Sequence, residues 1–325
     1  MNQYEWQELP EDVREAVQER VGWVVAVESQ SAGRANFAAT LCTSKGGRVF
    51  CKGVRGDDAV SVGMHRMEGW VGTWLPVPAP SVRWQMDVGD WMLLGFDHVD
   101  GRHAELWPRS PDLRLIAASL SELATKLTPC PVPAMPRLSE VVATTRPWQQ
   151  LLRSPRDMLS GWAQTNAAMF AAMESAVAEF VAGSTLLHGD LHAENLLISD
   201  RAAHPVDWSR AQVGAAWVDA ARLIPCLIEA GHSPGQAEAW AAKTAGWASA
   251  SPTAVTAFAI EQYGMWLMLA RTDADRFAEA PMPAVEHWAR YRAGLTGIAD
   301  LRPETKGARP RETMTPTRHA EEHTA

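Results

Sequence analysis

Residues 184–210 read Ser-Thr-Leu-Leu-His-Gly-Asp-Leu-His-Ala-Glu-Asn-Leu-Leu-Ile-Ser-Asp-Arg-Ala-Ala-His-Pro-Val-Asp-Trp-Ser-Arg. Two short apolar runs, Leu196–Ile198 and Pro205–Val206, flank a polar tip, the pattern of a small hairpin behind a loop. The loop carries His188, Asp190, His192 and Asn195, and Asp207 follows twelve positions after Asn195. This grouping suits phosphoryl transfer. Asp190 is placed to orient a hydroxyl and accept its proton. Asn195 and Asp207 offer the hard oxygen ligands that Mg²⁺ takes when it bridges phosphates.

Asp190 and Asn195 are five positions apart, as are the Asp and Asn of a protein kinase catalytic loop. His188-Gly-Asp-Leu-His-Ala-Glu-Asn-Leu-Leu197, followed by Val206-Asp-Trp208, resembles the aminoglycoside phosphotransferase/choline kinase family. Members of that family are kinase-like enzymes that phosphorylate small-molecule alcohols. The resemblance spans roughly residues 20–300. It implies an α+β, bilobal protein-kinase-like fold, with an antiparallel-sheet N-lobe over 1–100 and a mostly helical C-lobe over 101–301. It also implies ATP and Mg²⁺ as cofactors and a small hydroxylated acceptor. Family members act on aminoglycosides and other antibiotics, choline, homoserine and sugars.

Such a site needs partners from the rest of the chain. Residues 10–21 form an amphipathic helix pattern, and Trp23–Val27, Phe37–Thr43 and Arg48–Val54 read as strands. The connection Ser29-Gln-Ser-Ala-Gly-Arg-Ala-Asn36 is small and polar enough to let backbone N–H groups approach phosphates, with Ser31 and Gly33 as candidate nucleotide-binding positions. It has a single glycine and matches neither a Walker loop nor the protein kinase glycine-rich loop.

Lys52 lies mid-strand in Val49-Phe-Cys-Lys-Gly-Val54, and alternation puts it on one face with Phe50 and Val54. An ammonium there either snorkels to water or needs an anionic partner. The helix predicted over 59–75, capped by Asp57-Asp58, contains one carboxylate, Glu68, on the side of Met64 and Val71. A Lys52–Glu68 pair is the kinase arrangement that fixes the phosphate-binding Lys. Val82–Met86 and Trp91–Asp97 complete five strands. Leu93–Gly101 resembles the family's hinge, with Gly101 read as the turn into the second lobe.

Helices are predicted at 112–127, 157–182, 217–230, 235–249, 253–271 and 282–299, with Pro129–Pro136 as a connector. The resemblance implies that Asp219 supports the catalytic loop through backbone hydrogen bonds, the other reading being a first-turn acid favoured by the helix dipole. His188 is expected to hold that loop and not to transfer protons. Trp70 and Trp74, at helical spacing, read as core. Residues 302–325 lack Phe, Trp, Tyr, Ile, Val and Leu and read as a disordered tail.

Bulk properties narrow the classes further. A formal charge of −8 with no dense Lys/Arg run disfavours a nucleic-acid surface. Four cysteines without metal-ligand spacing read as reduced thiols. No signal peptide or membrane span is visible, so a cytoplasmic location is expected. Between 151 and 300 there are 16 Asp/Glu and 10 Lys/Arg, too even a balance to favour a polyamine acceptor over a neutral one. The rival reading is a catalytically silent binding protein on the same fold.

Overall fold

The computed structural model describes residues 3–30, 33–153, 159–272 and 281–296. Strands β1 (Val24–Ser29), β2 (Phe37–Thr43), β3 (Arg48–Arg55), β4 (Val82–Val88) and β5 (Trp91–Asp97) pair antiparallel in the order β1-β2-β3-β5-β4. Helix α1 (Glu11–Val21) precedes the sheet and α2 (Ala59–Gly72) interrupts it. Strand alternation distributes the apolar residues of β5. Trp91 and Leu93 join Trp6, Val13, Val17 and Phe37 on the α1 face, while Met92, Leu94 and Phe96 join Val54 on the face that α2 covers. Lys52 pairs in register with Ala38 and Leu94, on that second face.

Asp58 caps α2, its carboxylate accepting from the backbone N–H groups of Val60 and Ser61. The buried side of α2 is formed by Ser61, His65, Glu68, Gly69, Val71 and Gly72. Trp70 and Trp74 project from the other side, 48 % and 43 % exposed, and pack edge-on against each other. The expectation that they are core is therefore corrected: α2 is apolar on two sides, and Ser61, His65 and Glu68 face inward.

The chain crosses between lobes after β5. Gly101 has no left-handed backbone; it is needed because a Cβ would lie 2.7 Å from the Ile198 carbonyl oxygen. Close approach, not a turn, is its role. Strand β6 (Arg102–His103) then pairs with β8 (Leu196–Ile198), which pairs with β9 (Ala203–Pro205), and β7 (Thr185–Leu187) pairs with β10 (Gln212–Gly214). The remaining mass is helical: α3 (Asp112–Lys126), α4 (Leu138–Thr145), α5 (Pro147–Leu152), α6 (Gly161–Phe180), α7 (Val218–Glu229), α8 (Pro234–Ala241), α9 (Pro252–Thr272) and α10 (Met282–Thr296). Its core is built on fully buried aromatics, among them Trp148, Phe170, Trp217, Phe258, Tyr263 and Trp288.

The helical expectations need adjustment in two places. The segment 235–249 is α8 followed by a separate 3-10 turn at Ala245–Ser249. α4 and α5 were not foreseen; Arg146, with φ 41°, breaks what would otherwise be one helix. The predicted tail at 302–325 lies outside the described residues, as does Ser31. Among the described residues, no helix is long and apolar enough to cross a membrane. All four cysteines are free, with Cys42 and Cys51 on the neighbouring strands β2 and β3.

The lobes meet at a small apolar cluster in which Val71 and Ala79 pack with Leu123, Leu127, Leu186 and Trp208. Burial of each large side chain there contributes roughly 1.5–3 kcal/mol. The contact seats the end of α2 beside the β9–β10 connection, and thereby sets Glu68 relative to Asp207.

Candidate active site

Glycine makes the tip of the 188–195 loop possible. Gly189 has φ 83°, and a Cβ on it would lie 2.2 Å from the Arg210 carbonyl oxygen, so no other residue fits. Asp219, in the first turn of α7, holds this tip by accepting from the backbone N–H groups of His188 (2.7 Å) and Gly189 (3.1 Å). Arg222, one turn further along α7, donates to the Gly189 carbonyl at 2.7 Å.

His188 is buried, and its ring spans the loop. Nε2 lies 2.8 Å from the Val206 carbonyl, which can only accept, so Nε2 carries the proton. The bare Nδ1 then accepts from the Asp190 N–H at 3.3 Å. Burial holds the ring below the usual imidazole range, against the nearby carboxylates, and so favours this neutral form. The imidazole links the backbone of Asp190 to the residue before Asp207, as the sequence suggested, and Trp208 packs against it with ring centroids 4.8 Å apart.

Asp207 has a left-handed backbone, φ 64° and ψ 67°, a strained conformation for a residue with a side chain. That bend brings its carboxylate to β3. Lys52 Nζ lies 2.5 Å from Glu68 Oε2 and 3.6 Å from Asp207 Oδ2. The sequence-predicted Lys52–Glu68 pair is thus formed, and both side chains are over nine-tenths buried.

Burial by itself would lower the Lys52 ammonium, but the two carboxylates outweigh it and keep its pKa above the ordinary value. Burial pushes the Glu68 carboxyl up to about 7, with Lys52 pulling against that and Asp207 adding to it. Asp207 goes the other way. Burial opposes its ionisation, yet Lys52, the Ser209 side chain, His188 and His65 hold it well below the usual carboxylate range.

The donor set fits a hard divalent cation. Asp207 is ionised, and its Oδ1 is shielded from solvent without a hydrogen-bond partner. Asn195 donates its amide NH₂ to the Asp190 carbonyl at 2.8 Å, which leaves the amide oxygen to act as a ligand. Among the described residues, no cluster of three His, Cys, Asp or Glu forms a self-contained metal site. Two protein oxygens completed by phosphates and water is how Mg²⁺ is commonly held.

Asp190 is half-exposed at the cleft, where Arg210 Nε approaches its Oδ2 at 3.3 Å. Gly33 lies in the β1–β2 loop with φ 54° and open space about it. Next to it, Arg34 Nε donates to Ser61 Oγ at 3.3 Å and Nη2 is 3.8 Å from Asp58 Oδ2, tying the loop to the start of α2. Sequence reasoning did not single out Arg34, His65, Arg210 or Arg222. Only His65 carried a usable signal: with Ser61 and Glu68 it makes a polar stripe at helical spacing.

The profile of the phosphotransferase enzyme family matches residues 41–253. No curated protein matches the chain in sequence. Solved structures are similar in fold. A thermostable mutant of the aminoglycoside phosphotransferase APH(4)-Ia, in complex with AMP-PNP and hygromycin B, aligns with a TM-score of 0.60 at 14 % identity, over 88 % of this chain and 100 % of that one. Choline kinase LicA from Streptococcus pneumoniae gives 0.59 at 14 % identity, over 86 % and 99 %. A putative fructosamine-3-kinase from Haemophilus somnus gives 0.54 at 14 % identity, over 87 % and 96 %. With the family profile covering most of its length, the chain belongs to the phosphotransferase enzyme family.

Proposed function

We propose that the protein transfers the γ-phosphoryl group of ATP, with Mg²⁺, to a hydroxyl of a small molecule. The observation that carries this reading is the meeting of Lys52, Glu68 and Asp207 across the lobes, beside a loop that presents Asp190. The ammonium, oriented by Glu68, binds the α- and β-phosphates. Gly33 and its loop cover the nucleotide, and Asn195 and Asp207 hold the cation. When bound, the cation neutralises charge building up on the transferred group and its leaving oxygen.

Asp190 aligns the acceptor hydroxyl and takes its proton as the new O–P bond forms. Arg210, 3.3 Å from Asp190, has to turn aside or share that carboxylate when the hydroxyl arrives. Most of the rate comes from positioning and charge complementarity, since this chemistry needs no covalent participation by the protein. Neighbouring structures of this fold hold an aminoglycoside in one case, and amicoumacin with AMP-PNP and Ca²⁺ in another. They set the range of acceptors to screen.

The test is ADP release with MgATP against a panel of aminoglycosides, other antibiotics, amino alcohols and sugars. Asp190→Asn serves as the control and should lose about 10²–10⁴ in kcat, the usual worth of a general base, with MgATP affinity within a few-fold. An Asp190→Asn enzyme within tenfold of wild type on a confirmed acceptor removes Asp190 from the chemistry.

A further inference from the structure

The inner side of α2 carries three polar residues one turn apart, Ser61, His65 and Glu68, each at most 4 % exposed. A core-facing helix stripe is ordinarily apolar, so each of these needs a partner. Ser61 has two: its hydroxyl donates to Asp58 at 2.6 Å and accepts from Arg34 of the β1–β2 loop. Glu68 has Lys52. His65 is half satisfied. Its Nδ1 lies 2.8 Å from the Ser61 carbonyl, but its Nε2 is buried with no partner.

The bond to Ser61 decides what Nε2 can do. A carbonyl only accepts, so Nδ1 carries the proton, and in the neutral ring Nε2 is a bare lone pair. Burial first, and Lys52 second, lower the ring to about 4, which keeps it neutral. Glu68, three residues further along the same buried side of α2, meets Lys52, which in turn meets Asp207, so the ring stands one helical turn from the groups that face the nucleotide site. A lone pair there cannot receive a phosphate oxygen, which is itself an acceptor. Imidazole is also a poor direct ligand for Mg²⁺. What it can take is an O–H donor, and a magnesium ion bound to nucleotide keeps several waters that donate strongly.

We propose that His65 is a further residue of the nucleotide–metal site, its Nε2 accepting a hydrogen bond from water in the hydration shell of the cation that accompanies the nucleotide. The inference rests on the ATP- and cation-binding reading above. His65 then acts beside Asn195 and Asp207 as an outer contact that orients the cation, while Ser61 couples the same stripe to the β1–β2 loop.

The experiment is titration calorimetry of the full chain with ATP plus Mg²⁺ and with ATP plus EDTA, for wild type, His65→Leu and His65→Gln. Leu fills the volume without an acceptor, and the Gln amide oxygen restores one. MgATP affinity should fall about five- to tenfold in His65→Leu, the worth of one hydrogen bond, and recover most of the way in His65→Gln. Metal-free ATP affinity should agree within twofold across all three. Equal MgATP affinity in wild type and His65→Leu overturns the proposal. So does a loss in His65→Leu that is the same with and without metal.

Wild type that binds no MgATP refutes the nucleotide reading itself, along with this proposal. Because His65→Leu could fail to fold, imidazole ¹⁵N shifts of the unaltered protein give a second measurement. Nε2 of His65 should move on adding MgATP and stay in place with ATP and EDTA. An Nε2 that ignores MgATP overturns the assignment.

Discussion

Replacing Lys52 with Met removes the one cation between two carboxylates, and the structure dictates how the cost varies with pH. At an effective dielectric of about 20, the attraction on the ammonium is roughly 7 kcal/mol from Glu68 at 2.5 Å and roughly 5 kcal/mol from Asp207 at 3.6 Å, before desolvation is subtracted. Breaking a buried pair usually costs about 3–5 kcal/mol because the other charge stays behind. Here Glu68 can escape by taking a proton, since burial already raises it to about 7 and Lys52 is the group that pulls it down.

In Lys52→Met the carboxyl therefore moves above 7. An acid whose folded pKa lies above its unfolded value near 4.5 loses stability as pH rises through that window, at roughly 1.4 kcal/mol per pH unit. Wild type passes the top of the Glu68 window near pH 7, and the variant does not. The destabilisation of Lys52→Met relative to wild type should therefore grow by about 2 kcal/mol between pH 7 and pH 8.5. Urea unfolding of both proteins at the two pH values measures it. The same variant should bind MgATP about 10–150-fold more weakly, the worth of a charge-assisted contact. A destabilisation identical at the two pH values would refute the claim that Glu68 is the buried partner of Lys52.

Asp207→Ala should abolish the Mg²⁺-dependent part of ATP affinity, seen as equal calorimetric affinities with Mg²⁺ and with EDTA. Asp219→Ala leaves the His188 and Gly189 N–H groups without their acceptor and should cost about 2–5 kcal/mol in urea unfolding; Asp219→Asn, which keeps one acceptor oxygen, should cost less. Burial raises Glu174 to about 7 although it accepts from Trp148 and Gln149, with Glu261 adding to the rise and Arg146 opposing it. Its contribution to stability should fall as pH rises from about 4.5 to about 7 and level off above, so Glu174→Gln should flatten the melting temperature across that range.

The parts of this molecule that were legible in sequence are those where chemistry overrules periodicity. A lone ammonium in Val49–Val54 and a lone carboxylate in 59–75 stood out because their neighbours are apolar, and the structure joins them. His188, Asp190, Asn195 and Asp207 were legible because a polar loop with fixed spacing has few other uses. The three-residue strands β7 and β10 escaped notice, since three residues show no period.

His65 was hidden for a different reason. A histidine on an otherwise packed helix reads as core; its helical spacing from Ser61 and Glu68 is the one sequence signal, and the unpartnered Nε2 is the structural one. Trp70 and Trp74 misled because α2 has apolar residues on both sides, so the buried side was settled by Lys52 and the β1–β2 loop and not by hydrophobicity. Arg210 and Arg222 gave no signal in a chain with 25 arginines; only the fold brings them to the 188–195 loop.

One strained residue joins these observations. A left-handed aspartate costs of order 1–3 kcal/mol and persists only where its surroundings over-determine it. Around Asp207 they do so from both sides. The Val206 carbonyl before it is held by His188, and the Trp208 ring after it is buried at the lobe junction with its Nε1 donating to the Pro205 carbonyl at 3.0 Å. With both neighbours fixed, the bend has one outcome, a carboxylate aimed at Lys52 with one oxygen left over. Two carboxylates and one ammonium make a site of net charge −1 when all are ionised. A divalent cation turns that to +1, the sign a triphosphate requires. The strain at Asp207 thus places a charge beside Lys52 of the other lobe, and on the proposed reading nucleotide affinity should depend on the cation.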